Sequence, residues 1–232
     1  MELLKEIAAQ VENGRHNEVR SLVETCIEGG VGAGDILNNG LVAGMNSIGV
    51  KFRNNEVFVP EVLMAARAMK AGLEIIKPIL LRDKVPSKGT IVMGTVRGDL
   101  HDIGKNIVCY MLQGAGYDVI DIGIDISKET FIEAARSNGA QVIGLSSLLT
   151  TTMTYMKEVM EAVRASDLAG TVKVIVGGAP VTQDFAVEIG ANGYASDAST
   201  AVEVVRGLLG YWPIRGGGSG PRVAARLLLL FH

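Results

Sequence analysis

The feature that most constrains this chain is a change of rhythm near Lys88. Before it, apolar residues recur at helical spacing without strand alternation. Leu3, Leu4, Ile7, Ala8 and Val11 share one face of a first helix, which Gly14 ends. Further helices are expected over Asn17–Glu28, Gly34–Val50 and Pro60–Leu81, the last with a proline in its first turn, where a missing N–H is harmless. Four helices with short connections imply an N-terminal all-α four-helix bundle. After Lys88, short aliphatic runs at Thr90–Val96, Asp118–Ile122, Gln141–Ser146, Val172–Val176 and Gly193–Ala195 alternate with helical segments near Gly104–Gly114, Lys128–Asn138, Thr152–Ala165, Thr182–Ile189 and Thr200–Leu209. Strands separated by helices require crossovers and hence a mostly parallel sheet covered on both faces. The expected C-terminal half is an α/β flavodoxin/Rossmann-like domain with a five-stranded parallel sheet.

The proline- and charge-bearing stretch around Pro86 is the natural linker. It divides the chain into residues 1–86, residues 87–210 and a tail, 211–232. In the tail a Gly/Ser stretch precedes a short basic and apolar segment. A partner-docking helix, a peripheral membrane contact and sequence foreign to the natural protein all remain open readings of it, and no function is assigned.

Composition narrows the partners. A net charge of −3 and a pI near 5.7 lack the basic excess that nucleic acid requires, so no nucleic acid is expected. Cys26 and Cys109 form no CxxC pair, which argues against a disulfide framework or a thiolate zinc site and fits a cytoplasmic protein. The N-terminus lacks the pattern of a secretory signal. The longest purely apolar run, Leu227 to Phe231, is far short of the roughly 18 residues of a membrane span.

Chemistry concentrates in the stretch from Gly94 to Asn106, which leaves the first strand and enters the next helix. Loops at the carboxyl ends of parallel strands are where ligands bind. There His101 offers an imidazole, a good cobalt ligand, and Asp99 stands two residues away as the carboxylate that would fix its tautomer. The plainer alternative is an ordinary turn between Gly98 and Gly104, with His101 solvated and Asp102 capping the helix. A phosphate loop is a third reading, but the stretch matches neither GxGxxG nor GxxxxGK[ST].

At Asp99-Leu100-His101-Asp102-Ile103-Gly104 the chain resembles the B12-binding domain shared by cobalamin-dependent methionine synthase, the adenosylcobalamin mutases and the corrinoid proteins of anaerobic methyl transfer. The likeness continues at Gly144 to Met153, at Gly177-Gly178-Ala179-Pro180 and, less specifically, at Gly193 to Asp197. It implies that His101 displaces the corrinoid's own benzimidazole and ligates cobalt, in the base-off/His-on manner. Asp99 would be its hydrogen-bonded partner, and Thr152 would supply a hydroxyl to complete the relay. Gly98, Leu100, Asp102 and Gly104 would share the cofactor loop, Ser146 and Thr150 would contact the benzimidazole side, and Gly177 and Gly178 would line the nucleotide tail. Turn and cap roles are the plain alternative for Ser146, Thr150, Thr152 and the glycines.

The N-terminal half resembles the helical cap of methionine synthase and of methyl-transfer corrinoid proteins, through Gly44-Met45-Asn46, Lys51-Phe52 and Glu56 to Glu61. Phe58, Met64 and Met69 are candidates for an apolar cover of the corrin, with core filling the favoured role for each. Asp121 and Asp125 would bond cofactor amides or cap the next helix, and Cys109 would be a buried small hydrophobe. His16 and His232 are read as solvated.

The resemblance, over roughly residues 1 to 209, implies a corrinoid methyl carrier. It would shuttle a methyl group from a substrate-specific methyltransferase to an acceptor methyltransferase, with a reductive activase as a further partner, and would not turn over alone. Methylamines, methanol and O-methylated aromatics are the substrate classes implied. A B12-responsive regulator and the cobalamin subunit of a mutase are the alternatives.

Overall fold

The computed structural model describes residues 1–83 and 87–210. The centre of the linker, with Pro86, and the whole tail with His232 lie outside the described residues.

The first half is helical: α1 (Glu2–Glu12), α2 (His16–Glu28), α3 (Ala33–Asp35), α4 (Val42–Arg53) and α5 (Val59–Arg82). Helix α1 forms because Leu4, Ile7 and Val11 are spaced to bury one stripe, and they do. The expected single helix over 34–50 is corrected. Its course is interrupted by a π-helical turn, Ile36–Leu41, and α4 then runs on to Arg53. Asn38, Asn39 and Gly40 are weak helix formers, which is where a widened turn is tolerated. Gly44 is needed for contact, since a Cβ there would lie 2.5 Å from the carbonyl oxygen of Ala8 on α1.

On α5 the buried stripe is Val62, Ala65, Ala66, Ala68, Met69 and Ile76. Met69 is therefore core filling, as expected, but Phe58 (66% exposed) and Met64 (55% exposed) are not. Phe58 precedes the helix and Met64 falls off its buried face.

Five parallel strands follow: β1 (Thr90–Thr95), β2 (Asp118–Asp121), β3 (Val142–Ser146), β4 (Lys173–Gly177) and β5 (Gly193–Ala195), in the order β2-β1-β3-β4-β5. Alternate β1 residues serve two cores. Ile91 and Met93 pack with the helical half, and Val92 packs on the opposite face. Helices α6 (Ile103–Gly114) and α11 (Ala198–Leu208) contribute to the first core, while α7 (Lys128–Ser137), α9 (Tyr155–Ala165) and α10 (Gln183–Ile189) contribute to the second. The helix expected from Thr152 instead starts at Thr150 as the short α8 (Thr150–Met153), and Thr154 separates it from α9.

The two halves of the sequence share one core. A Cβ on Gly114 of α6 would lie 2.7 Å from Met45 Cβ of α4, and the Ser199 hydroxyl of α11 donates to the Gly49 carbonyl at 3.0 Å. Arg53 and Glu203 pair across the same junction at 2.7 Å. In register, Thr95 lies beside Ser146, Ser146 beside Gly177 and Gly177 beside Ala195. The loops after β1, β3, β4 and β5 therefore leave the sheet side by side, at the carboxyl edge where an open parallel sheet binds ligands. Among the described residues no helix is long and apolar enough to cross a membrane.

Candidate functional site

The loop after β1 turns at Gly98, whose φ of +82° favours glycine, and then drives Asp99 into the interior, where its side chain is fully buried. Burying a carboxylate is unfavourable unless it is well bonded, and Asp99 is surrounded by donors. Its Oδ1 accepts the backbone N–H of His101 (3.1 Å) and faces His101 Nδ1 (2.7 Å). Its Oδ2 accepts the N–H groups of Leu148 (2.7 Å) and Leu149 (3.3 Å) and the hydroxyls of Thr152 (2.8 Å) and Ser147 (3.1 Å). Burial pushes the Asp99 carboxyl upward. The bonds from Leu148, His101 and Thr152 outweigh that and hold it well below the usual carboxylate range.

An ionised carboxylate only accepts, so the proton of neutral His101 lies on Nδ1 and the lone pair on Nε2. That nitrogen makes no hydrogen bond among the described residues, and the side chain is 50% exposed. Thr95, buried under the loop, donates its hydroxyl to the His101 carbonyl at 2.9 Å. The arrangement presents one oriented ligand nitrogen. No group of three or more His, Cys, Asp or Glu converges among the described residues, so a metal here would have to bring most of its ligands with it.

Beside His101 a cavity of about 330 Å³ opens between the strand ends, α6 and α11. Of the expected residues, Gly104, Ser146, Gly177 and Gly178 line it together with His101. Its deep end is apolar, with Met93, Ile175 and Val176. Leu100, Leu148 and Leu149 on the loops that carry the His101–Asp99 network, and Ile103 at the start of α6, are large apolar side chains left exposed (67, 45, 42 and 68%). An oriented imidazole, exposed apolar residues on its loops and a deep apolar slot fit a flat macrocycle with a long appended tail.

Several expected residues have other duties. Thr150 is exposed at the start of α8 and does not line the cavity. Asp102 occupies the N-cap position of α6 without a cap bond from its side chain, which instead accepts from the Asn106 amide at 3.0 Å. Gly178, at φ +125°, is required by its neighbour, since a Cβ would sit 1.8 Å from the Ser147 carbonyl oxygen. Neither Asp121 nor Asp125 caps α7; Ser127 does, accepting from Thr130 N–H. Asp121 binds the Lys105 ammonium at 2.6 Å, and that lysine is only 2% exposed. Cys109 is buried as expected, and burial pushes its thiol up to about 12.

Ser147 is the site residue that sequence reading missed. It follows Ser146 out of β3, is 1% exposed, and bonds both Asp99 and the Thr152 hydroxyl (2.8 Å). The available signal was its position directly after Ser146, at the carboxyl end of a parallel strand where ligand-binding loops leave the sheet.

A family model described as a B12 binding domain matches residues 89–205, and a second B12 binding domain model matches residues 3–77. A corrinoid protein of Desulfitobacterium hafniense is 43% identical over 213 residues, 90% of this chain and 99% of its own length. Dimethylamine corrinoid protein 1 of Methanosarcina acetivorans is 46% identical over 209 residues, 90% and 98% of the two chains. Among solved structures, a chain of the methanol:cobalamin methyltransferase complex from Methanosarcina barkeri matches with a TM-score of 0.81 at 30% identity, covering 90% of this chain and 80% of that one.

Proposed function

Because the chain belongs to the B12-binding corrinoid proteins of methyltransferase systems, we propose that it carries a methyl group between two partner methyltransferases on a corrinoid ligated by His101. The observation that carries this reading is the 2.7 Å contact between His101 Nδ1 and the buried Asp99, which leaves Nε2 as an oriented ligand. The corrinoid, when bound, supplies a cobalt that accepts a methyl group from one partner and yields it to the other.

The protein's own residues do the holding and the proton placement. Asp99 keeps the proton of His101 on Nδ1. Ser147 and Thr152 bond each other as well as Asp99, and either hydroxyl can be the donor of their shared bond. Both hydroxyls thus donate to Asp99 Oδ2 beside the Leu148 and Leu149 N–H groups, which keeps the carboxylate ionised and so strengthens the lone pair that His101 offers. Gly104, Ser146, Gly177 and Gly178 line the slot for the nucleotide tail, in the base-off/His-on arrangement.

The names of the relatives direct the donor toward methylated amines. We place the protein in the cytoplasm, serving a substrate-specific and an acceptor methyltransferase, with a reductive activase restoring inactive cofactor. The test is transfer of label from radiolabelled dimethylamine, by a dimethylamine-specific methyltransferase, to this protein reconstituted with hydroxocobalamin and reduced. Label retained with wild type but not with His101→Ala supports the carrier role. Label from methanol with its own methyltransferase, and none from dimethylamine, reassigns the donor; none from either refutes the role.

A further inference from the structure

The loop that presents His101 is held from one side by Asp99, and its other side meets the loop between β2 and α7. There the Asp125 carboxylate accepts the Gly98 N–H at 2.7 Å, and the Asp125 N–H donates to the Asp99 carbonyl at 3.1 Å. Around this clasp, Thr95 N–H donates to the Gly123 carbonyl and Ile126 N–H to the Thr95 carbonyl, each at 3.0 Å, so the two loops run as an extension of the sheet. Asp125 makes these contacts from a left-handed conformation, φ +55°, where glycine is the unstrained choice. Among the described residues only Asn55 shares that condition without being glycine.

A strained residue with an exposed carboxylate needs a reason to be there, and the bond to Gly98 supplies one. Gly98 is the freest backbone point of the loop, at φ +82°, one residue before Asp99 and three before His101. A ligand must be held to about half an ångström to keep its aim. Asp99 fixes the ring and its N–H closes a turn on the Val96 carbonyl at 3.1 Å, but the Gly98 N–H inside that turn is held by the Asp125 carboxylate alone among the described residues.

We propose that Asp125 is a positioning residue for the cobalt ligand: by anchoring the Gly98 N–H it sets the aim of His101. This rests on the assignment of His101 as the ligand. The interaction joins residues 27 positions apart and is invisible in the local motif.

The test compares wild type, Asp125→Asn and Asp125→Gly, each expressed with 15N-labelled histidine, reconstituted with hydroxocobalamin and reduced to the cobalt(II) form. Asn keeps an acceptor oxygen and tolerates the left-handed region, whereas Gly relieves the strain and removes the acceptor. The readouts are the dissociation constant, the histidine-nitrogen splitting in the electron paramagnetic resonance spectrum, and the melting temperature of the cofactor-free protein. Asp125→Gly should weaken binding about 5- to 10-fold, near the lower end for a ligand's outer partners, and should reduce the share of cobalt showing histidine nitrogen. Its melting temperature should stay at or above wild type, and Asp125→Asn should bind within about twofold of wild type.

The proposal is overturned if Asp125→Gly matches wild type in affinity and splitting, if Asn is as impaired as Gly, or if the loss follows a fall in melting temperature. Failure of the wild type itself to bind, or to show histidine nitrogen, would instead remove the ligand assignment.

Discussion

Replacing Asp99 by asparagine would test the electrostatic core of the site while changing its shape very little. The carboxylate accepts from six donors, two at Oδ1 and four at Oδ2. An amide must put an NH2 at one of those places. At Oδ2 it would oppose the N–H groups of Leu148 and Leu149, which cannot reverse, though the Ser147 and Thr152 hydroxyls can. At Oδ1 it would oppose one fixed N–H, that of His101, and a ring that can change tautomer. Each buried N–H left unpaired costs about 1–3 kcal/mol, so the Oδ1 orientation is the cheaper one. It forces the proton of His101 onto Nε2 and removes the ligand lone pair. Asp99→Asn should therefore weaken hydroxocobalamin binding roughly 10–100-fold, about 1.4–2.7 kcal/mol, and lower folding stability by about 1–3 kcal/mol. Spectrophotometric titration with hydroxocobalamin and urea unfolding measure the two effects. Wild-type affinity together with an unchanged bound spectrum would refute the tautomer argument.

Gly178→Ala should lower stability by about 3 kcal/mol or more, because its Cβ meets the Ser147 carbonyl oxygen at 1.8 Å and its φ is +125°; a urea midpoint equal to wild type would contradict this. Asp121→Ala leaves the buried Lys105 ammonium with the neutral Asn106 side-chain oxygen and no counter-charge and should cost about 2–3 kcal/mol, whereas Lys105→Met leaves a carboxylate that is 37% exposed and should cost less. Equal losses in denaturant unfolding, or the reverse order, would show that the burial asymmetry does not govern this pair. Asp197, at the N-cap of α11, is pushed up by burial but pulled below its ordinary value by Thr200 N–H and by the hydroxyls of Thr200 and Ser196. A depressed carboxylate contributes stability that is present above its unfolded value, near pH 3.8, and lost as pH falls through the folded one. The advantage of wild type over Asp197→Asn should thus shrink as the pH drops below about 4; a difference constant from pH 7 to pH 3 would exclude that origin.

Much of this architecture is legible in the chain because the two halves differ in period. Leu4, Ile7 and Val11 mark a helix face, and the short, β-branched runs at Ile91–Met93 and Val142–Leu145 read as strands buried on both faces, as they are. The π-helical turn at Ile36–Leu41 and the break at Thr154 escaped because neither leaves a periodic trace. Phe58 and Met64 were misjudged because composition shows that a residue is apolar but not which way the start of α5 faces. At the site, His101 and Asp99 were readable from local spacing and Thr152 only from the family likeness, and the structure brings the three together. Ser147 was hidden behind Ser146. The pairs Lys105–Asp121 and Gly98–Asp125 join residues 16 and 27 positions apart, which meet only once β1 and β2 pair in the sheet.

The central claim is that His101 ligates the cobalt of a bound corrinoid. It is tested most directly by the ultraviolet–visible spectrum of the full chain reconstituted with hydroxocobalamin, recorded for wild type and His101→Ala. Wild type should show a bound corrinoid with a histidine-ligated spectrum that is absent from the variant. A wild type that binds no corrinoid, or a variant with the same bound spectrum, would contradict it.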